Sequence, residues 1–188
     1  RPVSGDRCLA KAFLDLVRPF IYEKSCGQNE LQEIWSFKEK IDKSVSVRKQ
    51  LFLDVKRGFG GIREIEFIVQ TLQLQHGKND VSLHKQGTVM LLKRLSAKAL
   101  LSDETTEELT AAYLFLRNVE NKLQMLNDRQ THLLPSDPRE MDALGVRLGY
   151  VETSDGSPAD QLRWDYECHA KKVHQTYTRL FKLLPAQA

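Results

Sequence analysis

The sequence contains no apolar run approaching the roughly 20 residues of a membrane-spanning helix, which argues against a helical membrane anchor within it. Cysteine is scarce. Cys8, Cys26 and Cys168 are odd in number and far apart, which predicts free thiols in a reducing cytoplasm rather than a disulfide framework. The 10 glycines and 6 prolines are few and clustered, so long regular elements are expected between the clusters. Neither sign of charge dominates: 28 Lys and Arg against 25 Asp and Glu leave a net +3. That is too small for the concentrated basic face that nucleic acid would require. No internal repeat and no low-complexity segment interrupts the chain. It opens on "RPVSGD" without a methionine and reads as part of a longer polypeptide, so a missing leader excludes nothing.

What is present fits one helical domain over residues 1–188, with 41% hydrophobic and 28% charged residues. Asp6 can cap a helix whose apolar positions Leu9, Ala12, Phe13, Leu16 and Val17 recur at three- and four-residue spacing, with Pro19 a potential kink. A second helix is expected from Asn29 through Leu31, Ile34, Trp35, Lys38 and Ile41. The stretch "LFLDVKRG" is either one short strand or a linker. A helix then runs to His76 with Gly77 as its stop, another covers about residues 84–100, and the longest starts near Thr105 with Glu108 completing a capping box and ends about Asp128. Asp137-Pro138 with Glu140, and Ser157-Pro158 with Asp160, mark two more starts, the last helix ending about Leu184. The expected fold is all-α, an up-and-down bundle of six or seven helices with at most one short strand.

The most unusual local feature is "VKRGFGGIREIEFIVQ", in which Gly58, Gly60 and Gly61 lead directly into a helix. Glycine permits positive φ and close approach of another backbone or a ligand. The amides at a helix start attract anions, so a nucleotide phosphate near Arg63 is one reading and a tight turn the other. The pattern is neither a Walker loop nor a dinucleotide fingerprint.

Projected at 100° per residue, the helix after Gly61 places Ile62, Ile65, Ile68, Val69 and Leu72 on one apolar arc and Phe67 and Leu74 on a second. Arg63, Glu66, Gln70 and Gln73 lie between the arcs, while Glu64, Thr71 and Gln75 form the expected solvent edge. The long helix repeats the arrangement with Arg117, Glu120, Asn121, Gln124 and Asp128. Facing seams would pair Arg63 with Glu120 and Arg117 with Glu66. Such a line is either a structural ion-pair network that fixes register or a polar groove for a substrate or neighbouring domain.

Two other patterns are excluded on geometry. Gly156-Ser157 followed by Asp165-Tyr166-Glu167 formally fits a polymerase-β-like nucleotidyltransferase, whose two acids must share a face. Here they lie in a helical run, where positions i and i+2 diverge by about 200°. Cys168, His169 and His174 do not make a zinc set, because adjacent residues on a helix point apart and no second pair supports them. His76, His84 and His132 are scattered, and no catalytic nucleophile is legible.

The segments "KRGFGGIREIEFIVQTLQLQHG" and "AYLFLRNVENKLQMLNDRQTHLLPSDP", with "RPVSGD", "FLDLVRPFIYEK" and "LGVRLGY" in the same order, resemble the bifunctional glutamine synthetase adenylyltransferase/adenylyl-removing enzymes over nearly the whole chain. The resemblance is strongest to the helical domain that follows their first nucleotidyltransferase domain. That half carries the phosphorolytic removal of AMP from a tyrosine of glutamine synthetase. Phe59 departs from the Pro or Arg usual in the family. The metal-binding aspartates of the family lie in the preceding domain, so no catalytic residue and no metal ligand carries over to this chain.

The resemblance implies that this chain is inactive alone, while the full enzyme uses magnesium and ATP in the cytoplasm. Implied partners are the enzyme's own nucleotidyltransferase domain, glutamine synthetase and the PII signal protein, with no nucleic acid and no membrane. It also implies that the corner of Gly58, Gly60, Gly61, Arg63, Glu64 and Glu66 faces the catalytic cleft. There Arg63 would meet phosphate or an acidic residue, and Glu64 or Glu66 would orient a ligand or support the metal site. Gln70, Gln73, Arg117, Glu120, Gln124 and Asp128 would form the polar seam beside it. The alternatives are the helical domain of a PII uridylyltransferase and a non-catalytic helical protein-binding scaffold.

Overall fold

The computed structural model describes residues 3–23, 27, 29–34, 36, 53–84, 87–127, 131–154 and 156–182. Six α-helices and one 3-10 helix fall within them: α1 (Arg7–Tyr22), α2 (Ile62–His76), the 3-10 helix Val81–His84, α3 (Thr88–Ala97), α4 (Asp103–Asn127), α5 (Pro138–Leu148) and α6 (Pro158–Lys182). The expected all-α bundle is what forms. Residues 29–34 and 36 are also helical, where the second helix was expected, and its continuation through Trp35, Lys38 and Ile41 lies outside the described residues.

Local chemistry accounts for the helix ends. The Asp6 carboxylate accepts from the Leu9 amide at 2.8 Å, and the helix passes through Pro19 without ending. Asp137 accepts from the amides of Arg139 and Glu140, with Pro138 in the first helical position, where a missing N–H costs nothing. Ser157 and Asp160 make a reciprocal box: the Asp160 amide donates to Ser157 Oγ at 3.2 Å and the Ser157 amide to Asp160 Oδ2 at 3.3 Å. The long helix departs from expectation. Its cap is Ser102, whose Oγ accepts from the Thr105 amide at 3.2 Å, so it starts at Asp103 rather than Thr105. The region expected to be helical over 84–100 divides into the 3-10 turn and α3, with Gly87 at φ 102° between them.

The core joins α2, α3, α4, α5 and α6. Ile65, Ile68, Leu92, Leu116, Leu144 and Leu162 are all fully buried in it. The α2 helix packs on α3, α4 and α6, while α6 packs on α2, α4 and α5. At the closest α5–α6 approach, a β-carbon on Gly145 would lie 2.5 Å from the Pro158 carbonyl oxygen, so only glycine fits. By contrast, α1 buries none of its residues. It is attached through Tyr22, whose ring stacks on His84 at 3.7 Å between centroids and lies against Gly77.

The strand candidate forms a bridge instead. Leu134 N–H donates to Leu53 C=O at 2.8 Å and Val55 N–H to His132 C=O at 2.9 Å, an isolated antiparallel contact of Asp54 with Leu133. No strand occurs among the described residues. This bridge carries the chain into the glycine corner and anchors its entry.

Candidate functional site

The glycine corner is built around buried Asp54. Its Oδ1 accepts from the amides of Lys56 and Arg57 at 3.0 and 2.8 Å, and its Oδ2 from Arg57 Nε at 3.1 Å. Gly58 N–H donates back to Asp54 C=O. The chain then doubles over so that the amides opening α2 meet carbonyls of the turn. Gly61 donates to Gly58, Ile62 to Val55, Arg63 to Lys56 and Glu64 to Gly61, all at 3.0 Å. These are the amides an anion would need at a helix start, and each already has a partner. The local geometry therefore favours the tight-turn reading of the bend over the phosphate reading.

Gly60 has φ 69°, and a β-carbon there would come 1.9 Å from the carbonyl oxygen of Ala170 on α6. The corner is thus pressed backbone to backbone against the last helix. The Gly60 amide donates to Glu64 Oε2 at 3.0 Å. Glu64 is 1% exposed, not on the solvent edge where helical projection placed it, and Thr71 is buried with it. The reason is that α2 is enclosed by α3, α4 and α6, which leaves little of its circumference to water. The Glu64 carboxylate also faces His174 Nδ1 at 3.2 Å, one turn beyond Ala170, and Phe59 meets the same imidazole edge-on at 5.0 Å.

The seam exists but differs in membership. Arg117 Nη2 lies 2.8 Å from Glu66 and Nη1 2.7 Å from Glu120, so the expected Arg117–Glu66 pair forms. Glu120, 5% exposed, takes Lys56 Nζ at 3.1 Å rather than Arg63, which is exposed and forms no ion pair among the described residues. His132 Nδ1 stands 3.3 Å from the same carboxylate. Tyr113 completes the group: its hydroxyl accepts from Arg117 Nε at 3.2 Å and its ring lies under the guanidinium. Gln73 donates to the Leu83 carbonyl and Gln124 is half-buried, while Gln70 is exposed. Asp128 lies outside the described residues.

Burial works against the Glu120 charge, but hydrogen bonds from Arg117 and Lys56 outweigh it and hold the carboxyl below its ordinary value. The Arg117 guanidinium is likewise disfavoured by burial, yet its bonds to Tyr113 and Glu120 fix it as a cation. Burial, reinforced by Lys56, pushes the His132 imidazole below its ordinary value despite the neighbouring Glu120. These groups form a continuous chain Lys56–Glu120–Arg117–Glu66 that ties the corner to α4 and α4 back to α2. That is the geometry of a register-fixing network.

Asp54, Lys56, His132 and His174 were not singled out as partners of these sites. Three precede or follow the helices without periodicity, and His174 stands 110 residues from Glu64. Asp165 accepts from the Tyr150 hydroxyl and Glu167 is exposed, both on α6, so the two acids do not form a pair. Among the described residues no three His, Cys, Asp or Glu side chains converge as a metal-binding set. The donors among the described residues therefore do not fit magnesium.

Beside the corner, a cleft of about 720 Å³ opens between Phe59, the 134–136 segment and α6. Its lining includes Arg163, Tyr166, Glu167, Ala170, Lys171 and His174.

The sequence matches the family model described as GlnD PII-uridylyltransferase over residues 35–181. Curated relatives named bifunctional glutamine synthetase adenylyltransferase/adenylyl-removing enzyme include that of Stenotrophomonas maltophilia (strain K279a), 41% identical over 152 residues, covering 81% of this chain and 16% of the relative. The protein of that name from Bartonella quintana (strain Toulouse) is 38% identical over 156 residues, 82% of this chain and 16% of its own length. That from Burkholderia mallei (strain ATCC 23344) is 38% identical over 156 residues, 81% of this chain and 17% of its own. The chain therefore spans about one sixth of the curated relatives it matches.

Proposed function

This chain belongs to the family described by the GlnD PII-uridylyltransferase model, together with the glutamine synthetase adenylyltransferase/adenylyl-removing enzymes it resembles, and on that premise we propose that it is the helical domain of such an enzyme. In this reading it packs on a preceding nucleotidyltransferase domain and helps to form the cleft in which glutamine synthetase is adenylylated and deadenylylated. It serves nitrogen regulation in the cytoplasm, with PII as a signalling partner. Magnesium and ATP bind in the preceding domain, and this chain is not catalytic alone.

The observation that carries the reading is the glycine corner itself. The segments that carry the resemblance, "KRGFGGIREIE" and "LRNVENK", are the ones the structure joins through Lys56–Glu120 and Arg117–Glu66. A rigid corner of this kind, locked from behind by α6 and from the side by α4, can present Arg63 outward in a fixed position. Arg57 is also exposed but is paired with Asp54, whereas Arg63 forms no ion pair among the described residues, and as a proposal it contacts phosphate or an acidic group of the neighbouring domain. The Glu64 carboxylate accepts from the Gly60 amide and faces His174, which supports giving it the role of bracing the corner.

The test is Arg63→Ala in the two-domain enzyme, assayed for phosphorolysis of adenylylated glutamine synthetase. Loss of about 1.4 kcal/mol or more of transition-state binding, a roughly tenfold or greater fall in kcat/KM, supports the contact. Unchanged phosphorolysis removes it. The second reading, the helical domain of a PII uridylyltransferase, has the family description in its favour, while curated relatives at about 40% identity favour the adenylyltransferase.

A further inference from the structure

The cleft beside the glycine corner has a composition that the ion-pair chain and the corner do not explain. Its volume of about 720 Å³ falls within the usual range of small-molecule sites. Leu53, Leu134, Met141 and Phe59 supply apolar wall. Arg163, Glu167 and Lys171 also line it, and their four-residue spacing sets all three on one face of α6. Arg163 and Lys171 form no ion pair among the described residues, whereas His174 is engaged with Glu64. Two cations against one carboxylate leave a net single positive charge on the ionised lining.

Tyr166 also belongs to the lining. It is 3% exposed and its hydroxyl oxygen is itself enclosed, so Tyr166 contributes wall rather than a polar contact.

We propose that this cleft binds a small amphipathic monoanion, with its apolar body against Leu53, Leu134 and Met141 and its acid group at the Arg163–Lys171 rim. The apolar wall supplies affinity through area removed from water, and the rim selects for negative charge. This inference rests on the cleft alone and not on the family reading.

Decanoate is a suitable probe, with decanol and inorganic phosphate as its uncharged and body-less counterparts. Calorimetric titration of the 188-residue chain is expected to show saturable decanoate binding at one site. Decanol should bind about tenfold or more weakly, the loss of a charge-assisted contact, and phosphate should not saturate. The double variant Arg163→Gln/Lys171→Gln changes only exposed side chains. It should weaken decanoate about tenfold while leaving decanol binding unchanged. Ser136→Trp, at an exposed position on the rim, should block both. Absence of saturable decanoate binding overturns the proposal, as does equal affinity for decanol, or an unchanged affinity in the double variant. Phosphate binding as tightly as decanoate overturns the apolar half of it.

Discussion

Gly60 and Ala170 touch so closely that a β-carbon on Gly60 would stand 1.9 Å from the Ala170 carbonyl oxygen and 2.4 Å from its Cα. The obstacle is helix backbone, which cannot rotate aside as a side chain would. Together with φ 69° at Gly60, it explains why the corner is glycine-rich: the chain must turn through the left-handed region while lying flat on α6.

Gly60→Ala should therefore destabilise the fold by about 3 kcal/mol or more, from left-handed strain plus displacement of α6. Gly149→Ala has a positive φ in the left-handed region but open space around it, and should cost only about 1 kcal/mol. Urea denaturation of the two variants side by side checks the contrast. Equal losses would show that the contact with Ala170 carries no weight.

Glu64 is held by Gly60 from one side and His174 from the other. Glu64→Ala leaves a buried amide unpaired and should cost about 2–3 kcal/mol, whereas Glu64→Gln keeps an acceptor for Gly60 and should cost roughly half as much. Thermal or urea unfolding of both variants reads the difference.

Within the ion-pair chain, Glu120 and Glu66 should behave differently. Glu120 is buried between Lys56 and Arg117, so Glu120→Ala removes the ion-pair partner of Lys56 and one of the two partners of Arg117, and should cost about 1–3 kcal/mol. The Arg117–Glu66 pair is more exposed, and a double-mutant cycle on it should yield at most about 1 kcal/mol of coupling.

The pH dependence has a definite sign. His132 titrates lower in the folded chain than in the unfolded one, so between those two values the unfolded chain holds more protons and stability falls as pH drops. Glu120, also lowered, adds a further loss as pH falls below its ordinary value of 4.5. From about pH 7.5 to 5.5 the urea midpoint of His132→Asn should fall less than that of the parent. An equal fall in both would remove His132 from the account.

Sequence pattern found the starts of α5 and α6, where a local hydrogen bond sets the boundary. Asp137, Ser157 and Asp160 each use a partner two or three residues away, which spacing alone can reveal. It erred at Thr105, because Ser102 competes for the same cap and the pattern of acidic residues fits either start. It also erred at Glu64. A helical projection ranks angles but does not count how many neighbours surround the helix, and three of them enclose α2. The Arg117–Glu66 pair was foreseeable because both residues lie on regular helices with complementary seams. Lys56 and His132 enter from irregular segments on either side of the Asp54–Leu133 bridge, which no periodicity marks.

The proposal that this chain acts only with a preceding nucleotidyltransferase domain is tested by ADP release from adenylylated glutamine synthetase in the presence of phosphate and magnesium. The assay is run with this chain alone, with that domain alone, and with both together. No release by the chain alone is expected, and faster release by the pair than by the domain alone. Release by the chain alone, or a rate unchanged by adding it, would overturn the proposal. Release by the chain alone would also direct attention back to Asp165 and Glu167 on α6.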